Sequence, residues 1–264
     1  YEIVRSLVGS EMCIRDSSAA VLRRVESIVP EMEQLNLPPV LYDAVDMHKG
    51  LVLVTGPTGS GKTTTIASII NEINKTRKAN IITVEDPVEF IHKDKLSIIS
   101  QREVGKHTQS FSNSLRAALR EDPDIIFVGE LRDLETISLA MTAAETGHVV
   151  FGTLHTSGAP ETINRIIDVF PPEQQSQIKA QISNSVKMVL TQRLVKSKDG
   201  LNRFAAFEVM KCTPPIQNLI REGKVHQIPS VIQTSAKDGM IEMKKSLEDL
   251  IRAGKIDGTA AKEE

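Results

Sequence analysis

Tryptophan is absent and aromatic residues make up 3% of the 264-residue chain, too few for the stacking platforms that hold single-stranded nucleic acid. Lysines and arginines number 32 against 34 aspartates and glutamates, a formal net charge of −2, and no block of basic residues stands out. A nucleic-acid motor would carry a basic footprint, so that class is disfavoured. Only two cysteines occur, Cys13 and Cys212; far apart and without a CxxC spacing, they suggest neither a disulfide framework nor a zinc site, and a reducing cytoplasm suits them. No apolar run approaches the length that crosses a bilayer.

What is present is a phosphate loop. Gly56-Pro57-Thr58-Gly59-Ser60-Gly61-Lys62-Thr63 fills every position of the pattern G-x-x-x-x-G-K-[ST], and Thr64 follows it. The pattern carries weight only between a strand and a helix. Leu51–Thr55 is a continuous apolar, β-branched run, as a buried parallel strand requires, and Thr64–Arg77 spaces Ile66, Ile69, Ile70 and Ile73 as a helix does. The glycines let backbone N–H groups converge at the helix N-terminus, where phosphate oxygens are best received. Lys62 is placed to reach the β- and γ-phosphates of ATP and Thr63 to hold Mg²⁺; a turn that binds nothing is the bland alternative.

Strand, loop and helix then repeat to about Phe170, which predicts a parallel sheet covered by helices. Strands are expected at Leu51–Thr55, Ile81–Val84, Leu96–Ser100, Ile125–Val128 and Val149–Leu154. Ligands of such sheets bind beyond the carboxyl ends of the strands, and there stand Glu85-Asp86-Pro87-Val88-Glu89, Gly129-Glu130-Leu131-Arg132-Asp133 and His155-Thr156. Two acids are needed, one beside Mg²⁺ and one to align the attacking water. Glycine stands at 129 where an Asp is usual, so Glu130 is assigned to the metal and Glu85 to the water, the swapped roles being the alternative. Asp86, Glu89 and Asp133 read equally as helix caps, solvated charges or catalytic acids. Asp124 lies at the wrong end of its strand and reads as structural.

His148 and His155 bracket one strand, roughly 20 Å apart at ~3.3 Å per residue, so they cannot share one phosphate; His155 is the candidate γ-phosphate sensor. Arg165, on a helix expected over Pro160–Ile167, is a further catalytic candidate that turns back to the acids or across to a neighbouring subunit. Arg102, Arg116, Arg120 and Arg132 read as solvated by default, with action in trans as the alternative.

From Pro171 the pattern is mainly helical: a long helix over Glu173–Leu190, a strand Phe204–Met210 pairing with Leu190–Val195, and helices around Ile216–Glu222, Val225–Thr234 and Met240–Ala253. The last aligns Met240, Met243, Leu247, Leu250 and Ile251 as a core stripe, with Gly254 placed to end it. At the other end the chain starts at Tyr1 rather than Met, and Tyr1–Ser17 looks like a translated sequencing adapter. Ala19–Val29 is expected to be a strand left from an N-terminal domain, followed by a linker and a short helix over Val40–Met47. The expected division is 1–17, a non-native segment; 18–37, a domain remnant and linker; 38–170, the nucleotide-binding core; and 171–264, a mainly helical subdomain.

The stretches Gly50–Thr65, Ile82–Phe90, Ser114–Ile137, Ala143–Thr156 and Arg165–Pro171 together resemble the secretion-type hexameric ATPases, and within them the type IV pilus retraction (twitching motility) ATPases, over about Ala19–Asp257. The resemblance implies an α/β fold with a RecA-like P-loop core and ATP hydrolysis with Mg²⁺. It further implies a homo-hexamer that pulls on a pilus inner-membrane platform protein, touching the cytoplasmic membrane only peripherally from its inner face and binding no nucleic acid. It places an acidic box on Glu85, Asp86 and Glu89, a metal-side acid on Glu130 and a histidine box on His148 and His155. The AIRNLIRE stretch of the retraction branch appears as PIQNLIRE, departing at Pro215 and Gln217. Other readings are an extension-type or accessory pilus ATPase, a nucleotide-binding regulator without turnover and a DNA motor.

Overall fold

A computed structural model describes residues 28–258. The adapter-like segment with Cys13, and the expected strand apart from Ile28 and Val29, lie outside the described residues. Seven strands form one sheet in the order β3-β2-β4-β5-β1-β6-β7: β1 Gly50–Thr55, β2 Asn80–Glu85, β3 Ile98–Glu103, β4 Ile125–Val128, β5 Val149–Leu154, β6 Val186–Lys196 and β7 Arg203–Lys211. All neighbours are parallel except β6 and β7. The helices are α1 Tyr42–Val45, α2 Lys62–Thr76, α3 Phe111–Ala118, α4 Leu134–Glu145, α5 Ala159–Asp168, α6 Gln175–Ser185, α7 Pro214–Arg221, α8 Ile228–Thr234 and α9 Met243–Arg252.

The continuous apolar runs have the reason expected of them. In β1, Leu51 and Leu53 enter one core cluster with the C-terminal helices, while Val52 and Val54 enter the other with α2. A strand covered on both faces cannot alternate polar with apolar.

Several boundaries differ from the sequence expectation. The helix expected over Glu173–Leu190 stops at Ser185, because Val186, Met188, Val189 and Leu190 are taken into the sheet beside β1 and buried there. That pairing overrides the helical spacing. The second expected strand runs one residue further, so Glu85 is its last member and no loop residue. β3 starts two residues late and holds Ser-Gln-Arg-Glu; as an edge strand it leaves Ile98 exposed and keeps polar side chains.

In the C-terminal part, Met240 is core, but Ile241 pairs with Val209, and α9 begins only at Met243. Met243, Leu247 and Leu250 are half-buried, Ile251 is exposed, and Gly254 follows the helix with φ 69°. Pro215 falls in the first turn of α7, where its missing N–H would have had no intrahelical acceptor. Cys212 is buried, which pushes its thiol up to about 12 and leaves it inert.

Phe151, fully buried in central β5, is expected to be the costliest kind of truncation. Phe151→Ala should lower unfolding free energy by about 3–5 kcal/mol, read from urea denaturation; a loss under ~1 kcal/mol would show that the neighbouring side chains collapse into the space.

Candidate nucleotide site

The turn leaving β1 is shaped by what lies beneath it. Gly56 and Gly61 have φ of 140° and 88°, and a Cβ at Gly56 would stand 2.2 Å from the Gln192 carbonyl oxygen. Only glycine fits there. Gln192, on β6, also accepts a hydrogen bond from the Thr65 hydroxyl at 2.7 Å, so it braces both the loop and the first turn of α2. The sequence reading put Gln192 in the paired strand Leu190–Val195 but had no signal that this strand lies beside β1 and under the loop.

Gly61 is the cap residue before α2, and the N–H groups of the first helical turn have no intrahelical acceptor. Lys62 is 8% exposed, and its ammonium donates to the Gly56 and Pro57 carbonyls at 2.9 and 3.0 Å. Burial pulls its pKa down, partly offset by the charges of Glu130 and Glu89. The Ser60 hydroxyl is buried without a partner. A buried cation resting on neutral carbonyls, beside an unpaired hydroxyl and free N–H groups, suits a polyanion.

A cleft of about 550 Å³ opens over the carboxyl ends of the strands, lined by Thr58, Gly59, Gly61, Lys62, Thr63 and Thr64, by Glu85, Asp86 and Glu89, and by Glu130, Arg132 and His155. Pro57 and Ser60 line the adjoining hollow on the other side of the loop. His155 Nδ1 lies 3.4 Å from both the Lys62 ammonium and the Thr58 hydroxyl, and its Nε2 is 3.5 Å from Glu130. Its loop is tied down by the Thr156–Thr162 hydroxyl pair at 2.7 Å and by the Ser157 N–H on Glu161 at 3.0 Å. His148 sits at the opposite end of β5, its Nδ1 2.9 Å from the Ala143 carbonyl.

Arg165 is not in the cleft. Ile163, Ile166 and Ile167 turn to the core, which leaves Arg165 on the exposed face of α5. The cleft arginine is Arg132, paired with Glu130 at 2.6 Å. Its sequence signal was only its place two residues after the acid. Arg102 and Arg116 pair with Glu121 and Glu135. Asp133 caps α4 through the Thr136 N–H at 2.9 Å, and Asp124 accepts from the Asn80 N–H at 2.7 Å at the far end of the sheet.

At Gly129, where an Asp is usual, a Cβ would make tight contacts, 3.1 Å from the Val84 carbonyl oxygen and 3.3 Å from Glu85 Cα. For Glu130, burial pushes the pKa up, but the Arg132 hydrogen bond and charge, with His155 adding to them, hold it below the usual carboxylate range. Among the described residues no group of three or more His, Cys, Asp or Glu could alone hold a metal ion. Thr63 and Glu130 are nonetheless hard oxygen donors of the number Mg²⁺ needs when phosphate and water complete its shell.

Glu85 differs from Glu130 in every respect. It is 5% exposed, and its carboxylate accepts from the Thr83 hydroxyl at 2.7 Å, the Gln101 amide at 3.3 Å and the Glu89 N–H. Burial outweighs these bonds and raises its pKa. The folded chain therefore holds this proton more tightly than the unfolded chain. The stability contributed is fully present below the unfolded value and is lost as pH rises through the raised folded value. Glu85→Gln removes that loss. Urea midpoints of the parent should fall behind those of the variant as pH climbs from acid to neutral; a difference independent of pH would mean that Glu85 titrates as a free carboxyl.

The family model for the type II/IV secretion system protein matches residues 7–223. A twitching motility protein of Neisseria gonorrhoeae is 52% identical over 244 residues, 92% of this chain and 65% of the relative. The type IV pilus retraction ATPase PilT of Pseudomonas aeruginosa is 51% identical over 246 residues, 93% of this chain and 71% of the relative. A crystal structure of the pilus retraction motor PilT with bound ADP superposes with a TM-score of 0.87 at 48% identity, covering 94% of this chain and 70% of that one. The chain thus spans about two thirds of the length of these proteins. The match takes in the phosphate loop, both acidic loops and both histidines, and the chain belongs to the type II/IV secretion system protein family.

Proposed function

We propose that the chain is the ATP-hydrolysing core of a motor that powers type IV pilus retraction in twitching motility. It works as a homo-hexamer in the cytoplasm, at the inner face of the cytoplasmic membrane, and pulls through the pilus inner-membrane platform protein. The names borne by its relatives support the biological role. The observation that supports the chemistry is Lys62, a buried cation held by two loop carbonyls and beside the His155 ring, at the floor of a cleft walled by Glu89 and Glu130.

In hydrolysis, water attacks the γ-phosphorus, the bond to the β–γ bridging oxygen breaks, and ADP and phosphate leave. Lys62 and the loop N–H groups hold the β- and γ-phosphates. Thr63 and Glu130 would hold Mg²⁺, which when bound neutralises charge developing on the phosphate oxygens. His155, between Lys62 and Glu130, is suited to sense the γ-phosphate, and Arg165, turned outward, is offered to a neighbouring subunit's nucleotide.

The water-orienting role passes in this reading from Glu85 to Glu89. Glu85 ends a strand three places from β1, about 14 Å away at ~4.8 Å per strand, and its oxygens are committed to Thr83, Gln101 and the Glu89 N–H. Glu89 lies on the cleft wall, and Lys62 feels its charge together with that of Glu130. It aligns the water and accepts its proton.

Lys62→Ala should nearly abolish binding of a fluorescent ATP analogue. Glu89→Gln should keep nucleotide affinity and slow phosphate release by about 10²–10⁴-fold, with Glu85→Gln slowing it less; full turnover in Glu89→Gln returns the role to Glu85. Glu130→Gln should raise the Mg²⁺ concentration needed for half-maximal rate, and an unchanged titration would remove Glu130 from the metal.

A further inference from the structure

The acidic loop from Asp86 to His92 belongs to no strand of the sheet, so its backbone polar groups must find other partners. Side chains of the edge strand supply several of them. The Val88 N–H donates to Glu103 at 3.3 Å. Past Glu89, the Gln101 amide donates to the Phe90 carbonyl at 2.9 Å, and its oxygen accepts from the His92 N–H at 2.8 Å. The same Gln101 nitrogen lies 3.3 Å from Glu85, whose carboxylate takes the N–H of Glu89 itself.

β3 and β2 are in register, Gln101 opposite Thr83 and Glu103 opposite Glu85. Gln101 and Glu103, two residues apart, share a face of β3, and together they bracket Glu89 from both sides.

We propose that Gln101 is a positioning residue for hydrolysis: from the edge strand it clips the loop at Phe90 and His92 and joins it to the buried Glu85, which sets the Glu89 carboxylate in the cleft. The inference rests on Glu89 being the water-orienting acid. Glutamine suits the task because one amide both donates and accepts. Its hydrogen bonds go to the acidic loop and to Glu85, so its loss is expected to leave nucleotide binding in place. A catalytic group misplaced by ~1 Å costs up to about 10²-fold in rate.

The test is a double-mutant cycle on the intact protein, with phosphate release and fluorescent-ATP binding as readouts. Gln101→Met keeps the side-chain length and removes all three hydrogen bonds. It should lower kcat by about 10–100-fold and leave KM and nucleotide Kd within about twofold. In the Glu89→Gln background the same change should cost no more than about twofold, because two residues acting as a unit are not additive. Gln101→Glu, which keeps the acceptor and loses the donor, should show the same kcat-only loss and covers the case in which the Met variant does not fold. Multiplicative losses in the cycle, a joint change of kcat and KM, or parental kcat in both variants would overturn the proposal. Parental turnover in Glu89→Gln alone would instead overturn the reading of Glu89, and this inference with it.

Discussion

Strand β1 is hydrogen-bonded on both sides by parallel neighbours, β5 and β6, and the rest of the site follows from that. A turn leaving a strand so enclosed has no free edge to run along. It must fold over the carboxyl end of the sheet, against whatever the neighbouring strands present. β6 presents Gln192, whose carbonyl forbids a Cβ at Gly56. β5 presents His155, within reach of Lys62 and Glu130. The loop is thereby bent over the carboxyl end of the sheet onto the start of α2, whose dipole favours phosphate.

Around that cradle the carboxylates are differentiated by their surroundings rather than by their chemistry. Glu130, beside Arg132 and His155, is held below the usual carboxylate range and lines the cleft, which suits the metal-side role proposed for it. Glu85 has lost water, which raises its pKa although its neutral donors pull the other way, and where it lines the cleft its oxygens are already occupied. Two acids at the ends of neighbouring strands β2 and β4 are thus pushed apart in character, and the raised one is turned to holding a loop. The acid that this loop carries, Glu89, meets the nucleotide side of the cleft instead. Through Gln101 and Glu103 the acidic loop is held to the edge strand β3.

Much of this was legible in the residues. The phosphate loop with its strand and helix needed no tertiary information, because local periodicity and glycine placement specify it. The parallel sheet and the shared edge of Glu85, Glu130 and His155 followed from four apolar runs each closing on polar residues. The separation of His148 from His155 followed from strand rise alone. What failed did so where long-range pairing decides: residues 186–190 have helical neighbours in sequence but lie beside β1 in space, and helical spacing could not reveal that.

The division of labour within the site shows the same limit. Sequence determines which side chains stand at the carboxyl ends of the strands, since strand direction and length are local properties. It does not determine which of them keeps its lone pairs free, because that depends on residues far away in the chain. Gln101 and Thr83 occupy Glu85, Arg132 steadies Glu130, and the apolar face of α5 turns Arg165 away from the cleft. Position along a strand is written in the order of residues, whereas burial and hydrogen-bond partnership are fixed only when strands distant in sequence come side by side.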